Sequence, residues 1–397
     1  MITFRGKAGR VPGRAVVTTA AALALIGASF LVLLPGSARA MPFFSRQVGR
    51  GCGYCHVLVP RLNDRGRTFR ANGFRFEGEG PWRGVRDYEV LPVSFEAEVE
   101  ALYDRTSSGG VDAESSDVKI EEVEVMAGGV IDKGGRVSTL AVIAAAETSS
   151  GVDVTIPKAF VQANDLAGPR ASGMLNARAG KWDVGLPFLN TTGAVITNRY
   201  LADSVLGFIS GEEKGFELNG AVNRWSGDDD TTAHRYAAGA VTEDLNDANR
   251  LRGYYAWYSV TLNESISLGA IYRGGREKKG ATDVSYNRYG AAGEVRAGPM
   301  VVAGGYFRDA RAGMADRADY LATVIVLPWP RVSFAGRFEG LKEEGKRSAL
   351  SYSLMARYHI LRNVYAQAEV RWLNDDDHAA GANEDETKVR FLVVALF

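Results

Sequence analysis

The sequence predicts an all-β fold, an outer-membrane antiparallel β-barrel of about sixteen strands that follows a short N-terminal α-helical segment. Three observations lead to this prediction. Glycine makes up 46 of 397 residues, about 12% against a usual ~7%, and with 16 tyrosines and only 12 prolines it favours strands and turns over helices. Apolar and polar residues alternate from about residue 92 to the C-terminus, and the segments between these runs are alternately short and long.

Composition excludes several classes of protein. The chain has 47 Lys and Arg against 47 Asp and Glu, so no excess of positive charge indicates a nucleic-acid partner. A hydrophobic content of 46% is that of a folded chain and not of a disordered one. Two cysteines in a chain of this length rule out a disulfide framework.

Residues 1–40 have the pattern of a secretory signal peptide. Basic residues come first, at Arg5, Lys7, Arg10 and Arg14, and an apolar run follows from 15 to 34. Small residues at Ala38 and Ala40 then precede Met41, which predicts cleavage after Ala40. A retained membrane anchor is the alternative, because the run is long enough to span a bilayer. Since no second run of that kind follows, any further membrane crossing would be made by strands.

Alternation defines the first predicted barrel strand, which starts at Pro92. One face carries Val93, Phe95, Ala97, Val99 and Ala101, and the other carries Ser94, Glu96, Glu98 and Glu100. Such a pattern is typical of a strand with lipid on one side and a polar lumen on the other. Further strands are predicted at 119–130, 136–147, 156–165, 171–183, 214–225, 233–243, 252–262, 265–273, 286–297, 298–307, 319–327, 331–340, 347–359, 362–373 and 386–397.

The connections between these strands support a barrel independently. Tight turns are predicted at 132–136, 166–170, 262–264, 298–299, 328–330 and 361–363, with an intermediate one at 226–232. Long loops are predicted at 104–118, 184–213, 274–285, 308–318 and 374–385. If the first strand leaves the periplasm, the tight turns are periplasmic and the long loops extracellular. A soluble β-sandwich array is the alternative, and the alternating connection lengths favour the barrel.

Between the signal and the barrel lies the motif Cys52-Gly53-Tyr54-Cys55-His56. In C-x-x-C-H, two thiols can each form a thioether with a haem vinyl group, and the adjacent histidine can bind the iron. A structural zinc site is a weaker alternative because the chain has no second cysteine pair. A thioredoxin-type pair would need alternating strands and helices around it. We therefore predict one covalent haem c, and also a helix from Pro60 to Asn72 that ends at Gly73.

The residues around this motif resemble the opening of a known family. They are Pro42 to Gln47, Gly49, Cys52 to His56, Pro60, Leu62-Asn63, Gly66-Arg67, Phe69 and Gly73-Phe74. This run is similar to the start of the fused outer-membrane cytochrome c-porins, the monohaem iron oxidases of iron-oxidising bacteria. It departs from that pattern at Val48, where threonine is expected. The resemblance implies a haem segment at 41–85, a porin-like barrel at 90–397 and iron(II):cytochrome c oxidoreductase activity.

The second axial ligand of the haem iron is not fixed by the sequence. Candidates are Met41 in the haem segment and, at predicted lumenal positions of the barrel, Met126, Met355 and His359. His234 and His378 are placed at strand or loop edges, and a five-coordinate or water-bound iron is also open. Asp375 to Asp377, His378 and Glu384 to Glu386 form an acidic loop that could attract a divalent metal, although such runs are usually solvated.

Charge suggests how the haem segment meets the barrel. Glu96, Glu98, Glu100, Glu122 and Glu124 would form an acidic wall inside the lumen, while residues 41–86 contain nine arginines. A segment of this size cannot build much core alone. We therefore predict that it docks into the barrel lumen or its periplasmic mouth through these opposite charges, the alternative being an ordinary polar pore lining.

These patterns lead to an expectation about function. Extracellular Fe(II) or another electron donor would reduce the haem, and a periplasmic c-type cytochrome would accept the electron, with outer-membrane lipids around the barrel. A conduit for a different donor or acceptor is an alternative. A diffusion porin in which the haem is structural or a gate is another.

Overall fold

The computed structural model describes residues 43–76, 92–108, 111–149, 151–189, 195–196, 211–226, 230–242, 250–279, 282–344, 348–375 and 384–397. The predicted signal peptide, its cleavage site and Met41 lie outside these ranges, as does His378. No helix within the described ranges is both long enough and apolar enough to cross a membrane.

The N-terminal segment, residues 43–76, contains two short helices and a small hairpin. Helix α1 spans Phe43–Val48, and a single 3-10 turn spans Cys52–Tyr54. Strands β1 (His56–Leu58) and β2 (Arg61–Leu62) pair antiparallel, and helix α2 spans Asp64–Ala71. The segment is therefore only partly helical, and α1 is an element that the sequence did not predict.

The predicted helix from Pro60 is wrong at its start and right at its end. Pro60 lies in the turn between β1 and β2, and α2 begins only at Asp64. Asn63 caps α2, because its side-chain oxygen accepts a hydrogen bond from the Gly66 amide at 2.9 Å. Gly73 has a φ of 63°, the left-handed conformation that ends a helix most easily at glycine.

Sixteen strands form the barrel, in agreement with the predicted number. They are β3 (Val93–Ser108), β4 (Val111–Val130), β5 (Val137–Thr148), β6 (Gly151–Ala167), β7 (Leu175–Val184), β8 (Gly211–Ser226), β9 (Asp230–Val241), β10 (Gly253–Leu262), β11 (Ile266–Lys279), β12 (Thr282–Ala297), β13 (Met300–Arg311), β14 (Arg317–Trp329), β15 (Val332–Glu343), β16 (Ser348–Leu361), β17 (Val364–Asp375) and β18 (Glu384–Leu396). Each strand pairs antiparallel with its neighbours in sequence, and β18 pairs with β3 to close the barrel.

Each predicted strand corresponds to one observed strand, and the main errors are in the long connections. The region 104–118 is mostly strand, because β3 continues to Ser108 and β4 starts at Val111. Residues 274–285 also belong largely to β11 and β12. Backbone pairing continues there although the apolar alternation fades, since a strand beyond the apolar band has polar surroundings on both faces. The short connections between strands are close to their predicted positions.

The two faces of the wall differ as a membrane barrel requires. Outward residues such as Phe95, Val302 and Leu354 are exposed and apolar. Large aromatic residues form girdles on this outer face at both ends of the strands. Tyr103, Tyr306, Tyr320, Tyr352 and Trp372 lie toward the end with long connections, and Phe95, Trp329, Phe334 and Tyr358 lie toward the end with short turns.

Apolar residues of the N-terminal segment pack against the inward face of the barrel. Phe43, Phe69 and Phe74 join one buried cluster with Phe160 and Trp182 of the wall. A second buried cluster contains Leu58 with Val301, Ile325 and Met355, together with Val195 and Ile196 of the connection between β7 and β8. The segment therefore shares its core with the barrel. This shared core compensates for the small apolar core that a segment of this size can form alone.

Candidate functional site

Cys52 and Cys55 lie on an open loop of the N-terminal segment. Both side chains are half-buried; Cys52 is the first residue of the 3-10 turn that carries Gly53, and Cys55 follows its last residue. Apart from the two chain neighbours of each glycine, no atom of the described residues lies within 4 Å of where a Cβ would stand on Gly51 or Gly53. The loop thus has free space on one side, as a bulky group attached to its two thiols would need.

The other side of this loop is closely packed on helix α2. The Asn63 amide donates a hydrogen bond to the Cys55 carbonyl oxygen at 2.9 Å, and the Asn63 side-chain amide donates to the Tyr54 carbonyl oxygen at 3.0 Å. A Cβ on Gly66 would overlap the Cys55 carbonyl oxygen and lie 2.9 Å from Leu62 Cδ2. Gly66 is therefore required for α2 to approach Cys55, and the loop is held from one side only.

His56 is oriented by a backbone carbonyl. Its Nδ1 lies 3.0 Å from the Pro60 carbonyl oxygen, across the hairpin formed by β1 and β2. A proton on Nδ1 satisfies this hydrogen bond and leaves Nε2 as the lone-pair nitrogen that can bind a metal. Burial lowers the pKa of His56, so the imidazole is neutral at pH 7, which is the form that ligates iron.

The environment of Cys55 argues against a redox-active dithiol. Burial, assisted by the neighbouring Cys52, raises the pKa of Cys55 to about 11, and Arg65 opposes this effect only in part. Reactive cysteines of C-x-x-C redox motifs have a lowered pKa instead. The free face of the loop, the two thiols and the oriented His56 fit covalent attachment of a haem with His56 as an axial ligand.

Arginines of the N-terminal segment bind carboxylates of the barrel. Arg61 and Arg67 both form ion pairs with Glu294 of β12, and the three side chains are almost fully buried. Arg75 donates to Asp165 of β6 at 2.6 and 3.0 Å, and its own side chain is 0% exposed. Buried, paired charges of this kind define how one element sits against another.

Two further pairs complete these contacts. Arg70 lies 3.2 Å from Asp183 of β7, and the exposed Arg65 lies 3.2 Å from Glu264 in the turn between β10 and β11. These arginines were predicted to meet an acidic wall, and none of the five pairs involves a residue of that wall. The predicted wall consists of Glu96, Glu98, Glu100, Glu122 and Glu124. Sequence alternation identifies inward carboxylates, but only the docked position of the segment decides which of them meet arginine.

The barrel also donates to the backbone of the segment. Arg235 of β9 binds the Asp64 carboxylate at 2.6 Å and the Asp64 carbonyl oxygen at 3.0 Å. Arg357 of β16 donates to the Val59 carbonyl oxygen, one residue before the Pro60 carbonyl that orients His56. These contacts hold the turn of the β1–β2 hairpin and the start of α2, and neither was predicted from sequence.

The barrel candidates for a second axial ligand lie at different places on the inward face. Met355 is 3% exposed and shares a cluster with Leu58, two residues beyond His56. Met126 packs beside the cluster that contains Phe43. His359 lies near the short-turn end of β16 with its ring 5.5 Å from that of Tyr365. His234 lies on the outer face, with its Nδ1 2.6 Å from the hydroxyl of Tyr258.

The predicted acidic loop, for which metal binding was one interpretation, lies mostly outside the described residues. Its last part, Glu384 to Glu386, is not loop but the start of β18. Asp385 accepts a hydrogen bond at 2.7 Å from Asn374 of the neighbouring β17. Across the ranges that the structure describes, no three or more Asp, Glu, His or Cys side chains converge into a ready metal site.

Comparison with known proteins adds the fold. No family model and no curated protein matches the chain. Among solved structures, the anion-selective porin from Comamonas acidovorans is 11% identical with a TM-score of 0.54, over 77% of this chain and 99% of that one. The outer membrane channel DcaP of Acinetobacter baumannii is 10% identical with a TM-score of 0.54, over 77% and 97%.

A Salmonella typhi OmpF complex with daunomycin gives a similar result, with 10% identity and a TM-score of 0.53 over 76% of this chain and 97% of that one. At such identities the likeness concerns the fold alone. The predicted fold class is confirmed: the chain forms a closed sixteen-stranded antiparallel barrel of the porin type, with short helices at its N-terminus.

Proposed function

We propose that this protein is an outer-membrane barrel with one covalently attached haem c, which passes electrons from extracellular Fe(II), or another external donor, to a periplasmic c-type cytochrome. The observation that carries the proposal is the hydrogen bond between His56 Nδ1 and the Pro60 carbonyl oxygen within the Cys52–His56 motif. It prepares Nε2 as an iron ligand beside two thiols that can form thioethers.

The residues of the chain have separate roles in this proposal. A haem c supplies reversible one-electron iron chemistry. Cys52 and Cys55 would attach it, His56 would bind its iron, and the Pro60 carbonyl would keep the imidazole in the required tautomer. Helix α2 holds the loop through Asn63 and Gly66, so the attachment point is fixed relative to the barrel.

The contacts of the segment support a haem near the periplasmic mouth. Arg65 pairs with Glu264, Arg75 donates to the Gly135 carbonyl oxygen at 2.8 Å, and Gln47 donates to the Gly128 carbonyl oxygen at 3.1 Å. All three partners lie at the end of the barrel with short connections, which is the periplasmic end in outer-membrane barrels. A soluble periplasmic cytochrome could therefore approach the loop.

An anaerobic Fe(II) titration of the purified, oxidised holoprotein tests the proposal. We expect the absorbance bands of reduced haem c to grow with added Fe(II) until the haem is fully reduced. Mn(II), which is a divalent ion but a poor reductant, is the matched control and leaves the spectrum unchanged. Absence of covalent haem in the mature protein, or an oxidised spectrum at saturating Fe(II), would contradict the proposal.

A diffusion porin with a structural or gating haem is the second candidate, and the likeness to porins favours it. The inner wall supports the first candidate, because many inward-facing charged side chains are almost inaccessible to water. They include Glu100, Arg235, Arg273, Arg288, Asp309, Asp319, Arg337, Glu339, Arg357 and Glu369. Single-channel recording in planar bilayers separates the two: steady porin-like conductance together with a haem that ignores Fe(II) would establish the second candidate.

A further inference from the structure

Four glutamates face one another on the inward side of β3 and β4. Glu96 is directly opposite Glu124, and Glu98 is directly opposite Glu122. Within β3, Glu96 and Glu98 lie two residues apart on the same inward face. We call these four residues the glutamate quartet. Like charges directly opposite one another destabilise a sheet, so this arrangement requires positive charge from elsewhere.

The arginine pairs described above do not meet this requirement. Arg61 and Arg67 bind Glu294, Arg70 binds Asp183, and Arg75 binds Asp165. The contacts of the segment thus direct these four arginines to carboxylates outside the quartet.

Two barrel cations interact with the quartet, and each has other partners. Arg357 interacts with Glu96 and Glu98, but it also donates to the Val59 carbonyl oxygen and stacks 4.0 Å from the centroid of the Tyr365 ring. Lys158 interacts with Glu122 and Glu124, while its ammonium lies 3.2 Å from Asp183. Within the part of the chain that the structure describes, these two shared cations face four carboxylates, which leaves a local excess of negative charge.

A buried hydroxyl beside the quartet is a second, independent sign of a missing partner. Ser94 is two residues before Glu96 on the same inward face, and its side chain is 2% exposed. Its Oγ has no hydrogen-bond partner in the described protein. A hydroxyl removed from bulk water is costly unless it is bonded, and a bound ion with its water shell would provide that bond.

The quartet lies close to the candidate haem site. Arg357 connects the two, because it interacts with Glu96 and Glu98 and donates to Val59. Val59 precedes Pro60, whose carbonyl oxygen orients His56. Arg357 is therefore a side chain that the quartet and the His56 hairpin have in common.

We propose that the glutamate quartet binds a hydrated divalent cation inside the barrel, and that this ion is Fe(II) in the function proposed above, on which the identity of the ion rests. Hard divalent cations are commonly held by one or two carboxylates while they keep several waters, so no convergent set of three ligands is needed. Fe(II) bound there would give one electron to the oxidised haem and become Fe(III), with no bond broken and no proton transferred.

This site would explain how one haem near the periplasmic mouth is reached by an ion from outside the cell. The apolar band of an outer-membrane barrel is about 25 Å tall. An ion held by carboxylates part of the way along the lumen would give its electron from within the band, so that the electron need not cross the whole band through protein.

Mn(II) binding followed by electron paramagnetic resonance tests the site without depending on haem chemistry. In the purified holoprotein we expect the signal of free Mn(II) to fall on binding. Glu96→Gln/Glu98→Gln should weaken that binding roughly tenfold or more, the scale seen for altered metal sites. Glu114→Gln/Glu147→Gln removes the same charge from exposed positions of β4 and β5 and should bind Mn(II) as the native protein does.

Two variants keep the test decisive if one of them fails to fold. Glu122→Gln/Glu124→Gln alters the other strand of the quartet and should give the same loss, with folding checked by the heat-dependent mobility of the barrel in gels. Native-like Mn(II) affinity in a folded quartet variant would overturn the proposal. If Mn(II) binds at the quartet but Fe(II) does not reduce the haem, the site stands and the proposed electron transfer fails. If Fe(II) reduces the haem in both quartet variants as fast as in the native protein, the proposed electron transfer stands and the quartet is not where Fe(II) binds.

Discussion

The N-terminal segment and the barrel wall obtain their structure in different ways. The wall depends on repetition: sixteen strands share one rule, apolar outward and polar inward, and each pairs with its sequence neighbours. The segment depends on individual contacts, such as Asn63 capping α2, Pro60 orienting His56, and Glu294 binding two arginines. Single substitutions should therefore matter more in the segment than at an average position of the wall.

The difference also separates the proposed chemistry from its support. A wall built by repetition tolerates variation at most positions and offers a stable frame. The segment concentrates the residues that a haem would need in the five positions from Cys52 to His56. A substitution that disrupts one region should leave the fold of the other largely intact, and the predictions below use that independence.

The largest effect should come from removing both thiols of the segment. Cys52→Ala/Cys55→Ala is expected to abolish haem that survives denaturation, because each thioether needs its own sulfur. The barrel should still form, as its pairing does not involve these residues. Haem staining after denaturing electrophoresis and heat-dependent gel mobility measure the two outcomes. Haem that stays attached to the double variant would refute covalent attachment through this motif.

The next largest effect should come from the buried acceptor of two arginines. Glu294→Gln removes the carboxylate that pairs with the buried Arg61 and Arg67, a change that costs about 3–5 kcal/mol for a buried pair. Hydrogen exchange of the α2 amides should accelerate about a hundredfold or more if the segment opens as a unit.

Glu264→Gln is the matched control for this change. Its pair with Arg65 also joins the segment to the barrel, but both side chains are 40% exposed or more. An exposed pair contributes about 0–1 kcal/mol, so exchange should change only slightly. Equal effects of the two substitutions would show that burial does not decide how the segment is held.

The sequence predicted the wall far better than the segment, for physical reasons. The alternation of apolar and polar residues is a local signal that repeats in all sixteen strands, so each strand could be predicted from its own residues. The outer ends of β3, β4, β11 and β12 were missed because alternation disappears where both faces meet polar surroundings. The signal at Cys52 to His56 was also local and strong.

Contacts between segment and wall had no comparable signal. Glu294 looks like any other inward carboxylate of the wall, and Arg357 like any other inward cation. Their roles follow from the docked position of residues 43–76, which brings together residues up to 298 positions apart. Pro60 was predicted to begin a helix, and its role as the acceptor for His56 could not be predicted, because the β1–β2 hairpin was not expected.

The wall has a prediction of its own on the lipid side. Leu354 lies in the middle of β16 and is 56% exposed on the outer face, between Tyr352 and Tyr358. Leu354→Arg should destabilise the barrel in a bilayer by about 2–4 kcal/mol, as cations near the midplane do. Urea unfolding in lipid vesicles measures it, and Leu354→Ala is the control. An unaltered midpoint would mean that this face does not meet lipid.

The smallest effect, and the one that most sharpens the contrast, concerns two glycines of the segment. Gly66→Ala adds a methyl group that would overlap the Cys55 carbonyl oxygen, whereas Gly51→Ala adds one where no atom lies within 4 Å. Helix propensity alone would make Gly66→Ala stabilising by about 1 kcal/mol, since residue 66 lies in α2. Overpacking against a backbone oxygen costs about 1–3 kcal/mol, and a carbonyl tied to Asn63 cannot rotate away freely. We therefore expect a net loss of up to about 2 kcal/mol, seen as faster amide exchange in α2 and a lower yield of covalent haem, with Gly51→Ala close to native in both. Slower exchange in Gly66→Ala would mean that propensity outweighs packing, and that α2 does not need its close approach to the loop.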